Sequence, residues 1–354
     1  MRILAIDTSC DETSVAITSR RRVLSNVIYS QILLHKKWGG VVPSIAKRAH
    51  EERIDFVVDE TLRKVGNKNI CSLHNIDAIA VTQGPGLAVA LEVGIKKAKE
   101  LAKKYNKKLI SVNHLEGHIY SAFVQNSKGN PKRDFKFPYL ALIISGGHTE
   151  FVLFKNHLDY EIIGSTLDDA SGEALDKAAK ILGLGYPGGP VIERLAKEVG
   201  NIDFHNFPRP MLKSKDLNFS FSGLKTSFYY FLNGQDGKGA HVNQNIKQLA
   251  SSFQEAVFDT LIKKTEMAIK LTTINQLIVV GGVVANLRLR KLMRDLISKY
   301  HGEVLFPPYK YLTGDNASMI GVVAGFKAEK DLFIKNIDEL GRIPRMSLNK
   351  FDSI

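Results

Sequence analysis

Short apolar runs that end in polar or glycine-rich turns recur along the chain, and they come in matched pairs. Residues Ile3 to Ile17 read as an apolar strand (ILAI), a polar turn (Asp7-Thr8-Ser9-Cys10-Asp11-Glu12-Thr13) and a second apolar strand (SVAI). Residues Tyr139 to Phe154 repeat the arrangement with LALII, the turn Ser145-Gly146-Gly147-His148-Thr149, and FVLF. Both predict β-hairpins whose tight turns offer hydroxyls and free backbone N–H groups, which suits phosphate.

A second pair follows. Ile76 to Thr82 predicts a strand, Gln83-Gly84-Pro85-Gly86 a turn, and the stretch from about Leu87 to Lys104 a helix. In the other half, Gln276 to Val280 predicts a strand, Gly281 to Asn286 a turn, and a helix runs on to about Tyr300. A strand that empties into a glycine turn at a helix N-terminus is a standard seat for an anion or nucleotide. One such turn is weak, because strand-to-helix loops use glycine for steric reasons alone. Four turns in two matched pairs predict two α/β domains of one topology facing each other across a cleft, with ligands beyond the carboxyl ends of the strands. The expected boundaries are 1–135 for the first domain and 136–325 for the second, with a helical insertion at about 168–243. A tail follows at 326–354, with the C-terminal helix free to pack back on the first domain.

One stretch carries chemistry of a different kind. Lys108 to Val112 predicts a strand, and Asn113 is placed to cap a helix opening at His114. His114 and His118 would then share a helix face with Cβ atoms roughly 5–6 Å apart. Two imidazoles so placed can bite one transition-metal ion at about 2.0–2.1 Å, or they can simply be two surface histidines. Asp315, before the small-residue helix expected at Ala317 to Phe326, is the best third ligand, with plain N-capping as its ordinary alternative. Two histidines and one carboxylate leave open coordination positions; they suit non-haem iron, and zinc accepts the same set. A zinc peptidase is disfavoured. Its general-base glutamate directly follows the first histidine, whereas Glu116 stands two residues on and points to roughly the opposite face.

Charge narrows the partner. The chain has 354 residues and a net charge of +13, which suits a polyanion such as nucleic acid. No apolar run approaches the roughly 20 residues needed to span a bilayer, and the N-terminus reads as neither a signal nor a transit peptide. Cys10 and Cys71 form no disulfide framework and no CxxC site, so a cytoplasmic location is expected. Inside the insertion, a polar helix at Ser171 to Lys180 precedes the glycine loop Gly183 to Pro190. Asp176 and Glu193 flank that loop and read either as acceptors for ribose hydroxyls or as ordinary solvent-facing charges. Asn286 closes the last glycine turn as a helix cap or a nucleotide contact. No Ser-His-Asp or Cys-His set, Walker A sequence or paired catalytic carboxylate stands out.

Taken together, several segments resemble the tRNA N6-adenosine threonylcarbamoyltransferases, formerly called O-sialoglycoprotein endopeptidases or glycoproteases. They are the Asp7 to Thr13 turn, His114-x-x-x-His118, Ser145 to Thr149, Gly172-Glu173-Ala174-x-Asp176-Lys177, Gly281-Gly282-Val283-x-x-Asn286 and Thr313 to Ala317. The resemblance runs collinearly from Met1 to about Gly325. Trp38 to Ala46, just before His50, resembles the bacterial and mitochondrial branch. It implies an actin-like fold of the Hsp70 and sugar-kinase type, duplicated, with a central cleft. It implies transfer of a threonylcarbamoyl group from L-threonylcarbamoyladenylate to N6 of adenosine 37 in tRNAs reading ANN codons, with release of AMP. It also implies that His114, His118 and Asp315 hold one divalent metal, Fe2+ favoured over Zn2+. Ile143, Ile144, Ser145, Gly146 and Gly147 would hold the adenylate's phosphate and acyl portion. Asp176, Gly189 and Glu193 would surround ribose and adenine, or ATP or AMP in the same cleft, and Asn286 would approach from the last turn. Leu175 stands where phenylalanine is usual and Glu193 where aspartate often occurs. Lys213, Lys215 and Lys225 would hold tRNA by its phosphates. Bacterial relatives work with an actin-like paralogue and a small P-loop ATPase. No catalytic side chain is assigned beyond the metal site. The competing classes are an actin-like ATPase or kinase without tRNA chemistry, and a non-catalytic scaffold.

Overall fold

Each half of the duplicated pattern folds into a five-stranded sheet. The computed structural model describes residues 1–65, 72–234 and 245–348; Cys71, most of the stretch from Gly234 to Gly239, whose polar sequence predicts an exposed loop, and the end of the tail lie outside the described residues. The first sheet is built from β1 (Arg2–Asp7), β2 (Glu12–Ser19), β3 (Arg22–Ser30), β4 (Ala78–Gly84) and β5 (Lys108–Asn113), in the order β3-β2-β1-β4-β5. Its helices are α1 (Ile32–His35), α2 (Pro43–Arg63), α3 (Ala88–Lys104) and α4 (His114–Ser121). The second sheet is built from β6 (Tyr139–Ile144), β7 (Thr149–Asn156), β8 (Asp159–Ser165), β9 (Gln276–Val280) and β10 (Glu303–Leu305), in the order β10-β9-β6-β7-β8. Around it stand α5 (Ser171–Ile181), α6 (Gly188–Glu198), α7 (Ser222–Asn233), α8 (Ile246–Thr272) and α9 (Leu287–Ser298), and the last α-helix among the described residues is α10 (Ala317–Glu329).

The duplication is visible strand by strand. β1 runs antiparallel to β2 and parallel to β4. β6 runs antiparallel to β7 and parallel to β9 in the same way. The central strands β1, β4 and β6 are buried almost throughout, so they read as unbroken apolar runs rather than alternations. The fold is the duplicated α/β architecture expected from the repeat, of the actin-like type that the resemblance implies.

Contacts divide the chain into Met1–Phe135 with Asn156–Tyr160 and Phe306–Ile354, and Lys136–Lys155 with Glu161–Leu305. The second domain therefore ends near 305 instead of 325. The reason lies in α10. It is apolar on every side, and a helix of that kind has to be enclosed. It is buried against β1, β2 and α4. The tail follows it into the first unit: Leu340 joins the core formed by Leu4, Ile17, Val57 and Val93, and the Ile343 N–H donates to the Gln83 carbonyl at 2.9 Å. Among the described residues, no helix is long and apolar enough to cross a membrane.

A candidate metal centre and a ring of glycine turns

The metal candidates all belong to the first unit. β5 runs straight into α4, and the turn between them is fixed by a capping box. The Asn113 side chain accepts from the Leu115 N–H at 2.8 Å, and the Glu116 carboxylate accepts from the Asn113 N–H at 3.2 Å. Glu116 also pairs with Lys327 at 2.8 Å. It is a structural cap directed away from the histidines, as its spacing required.

His114 and His118 are buried, with ring centroids 4.6 Å apart. Asp315 joins them: its Oδ1 lies 3.3 Å from Nε2 of each histidine. The capping alternative is excluded for Asp315, because Asn316 is the N-cap of α10 and its side chain accepts from the Met319 N–H at 3.2 Å. Ligand atoms of the three residues lie within 4.8 Å of one another. Both ring nitrogens of His118 are buried without a hydrogen-bond partner among the described residues. Leaving such atoms unpaired costs roughly 1–3 kcal/mol each, a cost that a shared cation would offset. The residues fit a metal.

The electrostatics agree. Burial alone would lower His114, but the carboxylates of Asp315 and Asp7 outweigh it and push it up to about 10. Burial and the neighbouring His114 charge lower His118. Burial opposes ionisation of Asp315, yet both imidazoles hold its carboxyl well below the usual range. The cluster favours positive charge at its centre. Burial pushes the Cys10 thiol well up, so it stays protonated and is no nucleophile.

One member of this site went unread in the sequence. Asp7, the last residue of β1, lies 3.7 Å from His114 Nδ1 through Oδ2. Its Oδ1 is locked by the Thr82 hydroxyl at 2.8 Å and the Ser9 N–H at 3.2 Å. A fixed carboxylate behind a ligating histidine orients the ring and raises its basicity. The available signal was an acid ending a strand that is apolar from Ile3 to Ile6.

The remaining candidates belong to the second unit, where contacts link them in a ring. The turn after β6 is closed by Ser145 N–H donating to the His148 carbonyl at 2.9 Å and by His148 N–H donating to the Ser145 hydroxyl at 3.1 Å. Gly146 and Gly147 are exposed, and a Cβ at either would meet nothing within 4 Å. Gly172, in the first turn of α5, is different: its Cβ would lie 2.5 Å from the Ser145 carbonyl oxygen. Glycine there lets the positive end of α5 press against the turn. Gly281 takes φ +100°, and its Cβ would lie 2.4 Å from the Ile144 carbonyl oxygen. Only glycine fits.

Asp176 accepts from the N–H groups of Gly188 and Gly189 at 2.7 and 3.1 Å, holding the start of α6. Glu193 accepts from the Leu287 N–H at 2.8 Å. Asn286 caps α9 through the Leu289 N–H at 3.2 Å, and its amide nitrogen donates to Gln254 at 2.9 Å. These side chains act as struts for the turns. Ile143 and Ile144 are buried strand residues. Of the three lysines, Lys225 is tied to Asp169 at 2.6 Å, whereas Lys213 and Lys215 are exposed.

The comparisons with known proteins follow the same line. The family described as TsaD, tRNA N6-adenosine threonylcarbamoyltransferase, matches residues 22–322. The chain belongs to that family. The enzyme of this name from Thermosipho africanus is 48% identical over 330 residues, covering 93% of this chain and 95% of its own. The one from Bacillus subtilis is 43% identical over 355 residues, covering 100% and 98%. Among solved structures, HypF from T. kodakarensis superposes with a TM-score of 0.59 at 14% identity, over 93% of this chain and 48% of that one, a likeness of fold alone.

Proposed function

We infer that the protein transfers a threonylcarbamoyl group from L-threonylcarbamoyladenylate to N6 of adenosine 37 in tRNAs reading ANN codons, releasing AMP. The observation that carries this reading is the His114, His118 and Asp315 cluster, in a chain whose relatives bear that activity's name along nearly their whole length. In the reaction, the adenine amine attacks the carbamoyl carbon, the bond from that carbon to the phosphate oxygen breaks, AMP leaves with the electron pair, and the amine loses a proton.

The residues divide the work. His114, His118 and Asp315 would hold the divalent metal, with Asp7 fixing His114. When bound, that ion supplies Lewis acidity and a template for the acyl group. The N–H groups of Gly146 and Gly147, in a turn closed by Ser145, would with the N-terminal end of α5 neutralise charge on the departing phosphate. Ile143 and Ile144 would support that turn from beneath. Asp176 and Glu193, through the N–H groups they hold, and Gly189 and Asn286 beside them, would shape the nucleotide's surroundings. Fe2+ is our choice of metal, and Zn2+ accepts the same donors. An actin-like paralogue, a small P-loop ATPase and a cytoplasmic site of action belong to the same reading. No observation favours the alternative of an actin-like ATPase without tRNA chemistry.

Mass spectrometry of tRNA nucleosides from cells depleted of this protein tests the proposal. Threonylcarbamoyladenosine should fall as the protein is lost. Unchanged levels would overturn it.

A further inference from the structure

A cavity stands in the first unit, apart from the candidate metal ligands. It has a volume of about 440 Å³ and is lined by Val23, Leu24, Ser25 and Asn26 of β3 together with Asn126 and Tyr311. This lies within the usual range of small-ligand pockets, about 300–1,000 Å³. Its walls are specific. Tyr311 is 41% exposed and offers a ring face. Tyr309 stacks on that ring at a centroid distance of 5.8 Å and an angle of 9°. The Tyr309 hydroxyl is itself pinned, accepting from the Asn126 amide at 2.8 Å and donating to the Asn130 carbonyl at 2.9 Å. The plane of Tyr311 is thus held from behind by a partner that is anchored at its far end.

Polar groups in the pocket are available as well. Ser25 is 94% buried by its 6% exposure, and its hydroxyl has no hydrogen-bond partner among the described residues. β3 is an edge strand: its start is bridged to Gln125, with the Val23 N–H donating to the Gln125 carbonyl at 2.8 Å, and its later residues have no outer strand partner among the described residues. A flat aromatic floor with a buried hydroxyl and backbone donors and acceptors at its margin suits a planar heterocycle with a polar edge. Position adds the rest. Tyr311 precedes Asp315 by four residues, so their Cα atoms are at most about 14 Å apart. The Asn26 side chain also accepts from the Ser14 hydroxyl at 3.4 Å, and that hydroxyl accepts from the Ala317 N–H, two residues past Asp315.

We propose that this pocket holds an unpaired base of the tRNA loop close to the acceptor adenosine, stacked on Tyr311, with Ser25 and the edge of β3 reading its polar rim. The inference rests on the reading of function above. It gives the surplus of basic charge a complementary element: phosphate contacts position a strand without sorting it, whereas stacking and edge contacts fix its register. Tyr309 is a positioning residue in this scheme, and Tyr311 touches the substrate.

The test combines protein and RNA variants. Tyr311→Ala should weaken binding of an unmodified anticodon stem-loop and raise its KM about tenfold, as loss of one base stack does. Metal content, the KM for the adenylate and kcat should stay within twofold, and Tyr311→Phe should restore the KM for RNA. A series of stem-loops, each with one abasic nucleotide beside the acceptor, should contain one member that the native enzyme binds about tenfold more weakly. Tyr311→Ala should not distinguish that member from the intact loop. The proposal is overturned if Tyr311→Ala binds the loop within twofold of the native protein, or if every abasic loss is additive with it. Either result would leave β3 and Tyr311 as a surface for another protein. Absence of any tRNA modification by the native protein would instead defeat the functional reading itself, so the two failures are separable.

Discussion

The two candidate sites are built on opposite plans. In the first unit, buried side-chain atoms are left without hydrogen-bond partners among the described residues: both nitrogens of His118, Nδ1 of His114 and one oxygen of Asp7. In the ring of turns in the second unit, the named polar side chains are already spent on backbone N–H groups, and the open places are glycines that carry no side chain at all. The first plan stores unmet bonding capacity and suits an ion, which needs concentrated donors. The second spends side chains to aim backbone groups, and suits a spread-out anion approached closely by the chain. Substitutions should therefore fail in different ways at the two sites.

The largest effect belongs to the ligands. His118→Ala should abolish transfer, a loss of at least about 10³-fold, and metal content should fall below stoichiometric while circular dichroism stays native. Metal analysis by mass spectrometry checks it, and a fully loaded variant would remove His118 from the ligand set. Next comes the orienting carboxylate. Asp7→Asn keeps the bonds from Thr82 and Ser9 but removes the charge facing His114, so metal affinity should drop about 10–100-fold. Competition with a chelator measures it.

The glycines sharpen the contrast within the second unit. Gly281→Ala should destabilise the protein by about 2–3 kcal/mol in urea unfolding, because a Cβ there meets both a positive φ and the Ile144 carbonyl. Gly146→Ala, with nothing within 4 Å, should leave stability unchanged and raise the KM for the adenylate. If both were equally destabilising, the turn would be packed rather than open.

The smallest effect concerns Glu150 on β7, whose Oε2 is buried without a hydrogen-bond partner. Burial pushes its carboxyl up to about 7. The folded protein therefore keeps a proton that the unfolded chain has lost, and stability falls as pH rises from about 4.5 to 7. Glu150→Gln should remove that fall, gaining on the order of 2 kcal/mol at pH 8 and little at pH 4. Denaturant melts at the two pH values decide the matter.

How much of this was legible in the sequence varies with the kind of signal. Central strands and their turns were readable because burial on both faces writes them as continuous apolar runs, and β9 falls at the expected Gln276 to Val280. β3 and β8 went unread: they lie at sheet edges, and their mixed burial blurs the period. α8 went unread although it is the longest helix among the described residues, because its buried side includes Ser251, Gln254, Thr260 and Lys264 and so shows no clean apolar stripe. In the metal centre, histidine spacing and the Asp315 loop were visible, since both are local. Asp7 was not, because only the pairing of β1 with β4 sets Thr82 beside it. Nor could spacing show that Lys225 would be neutralised by Asp169, far from it in sequence.

The return of α10 to the first unit has a consequence for how the protein is made. Two candidate ligands are synthesised as neighbours on α4, and the third follows 197 residues later (315 minus 118), after the whole second unit has been translated. A ribosome delivers the chain from its N-terminus, at about 5–20 residues per second. During that interval α4 waits without its carboxylate partner and without the apolar helix that encloses it. The candidate ligand set is thus completed only late in synthesis, and a chain stopped anywhere before Asp315 is released without its third member.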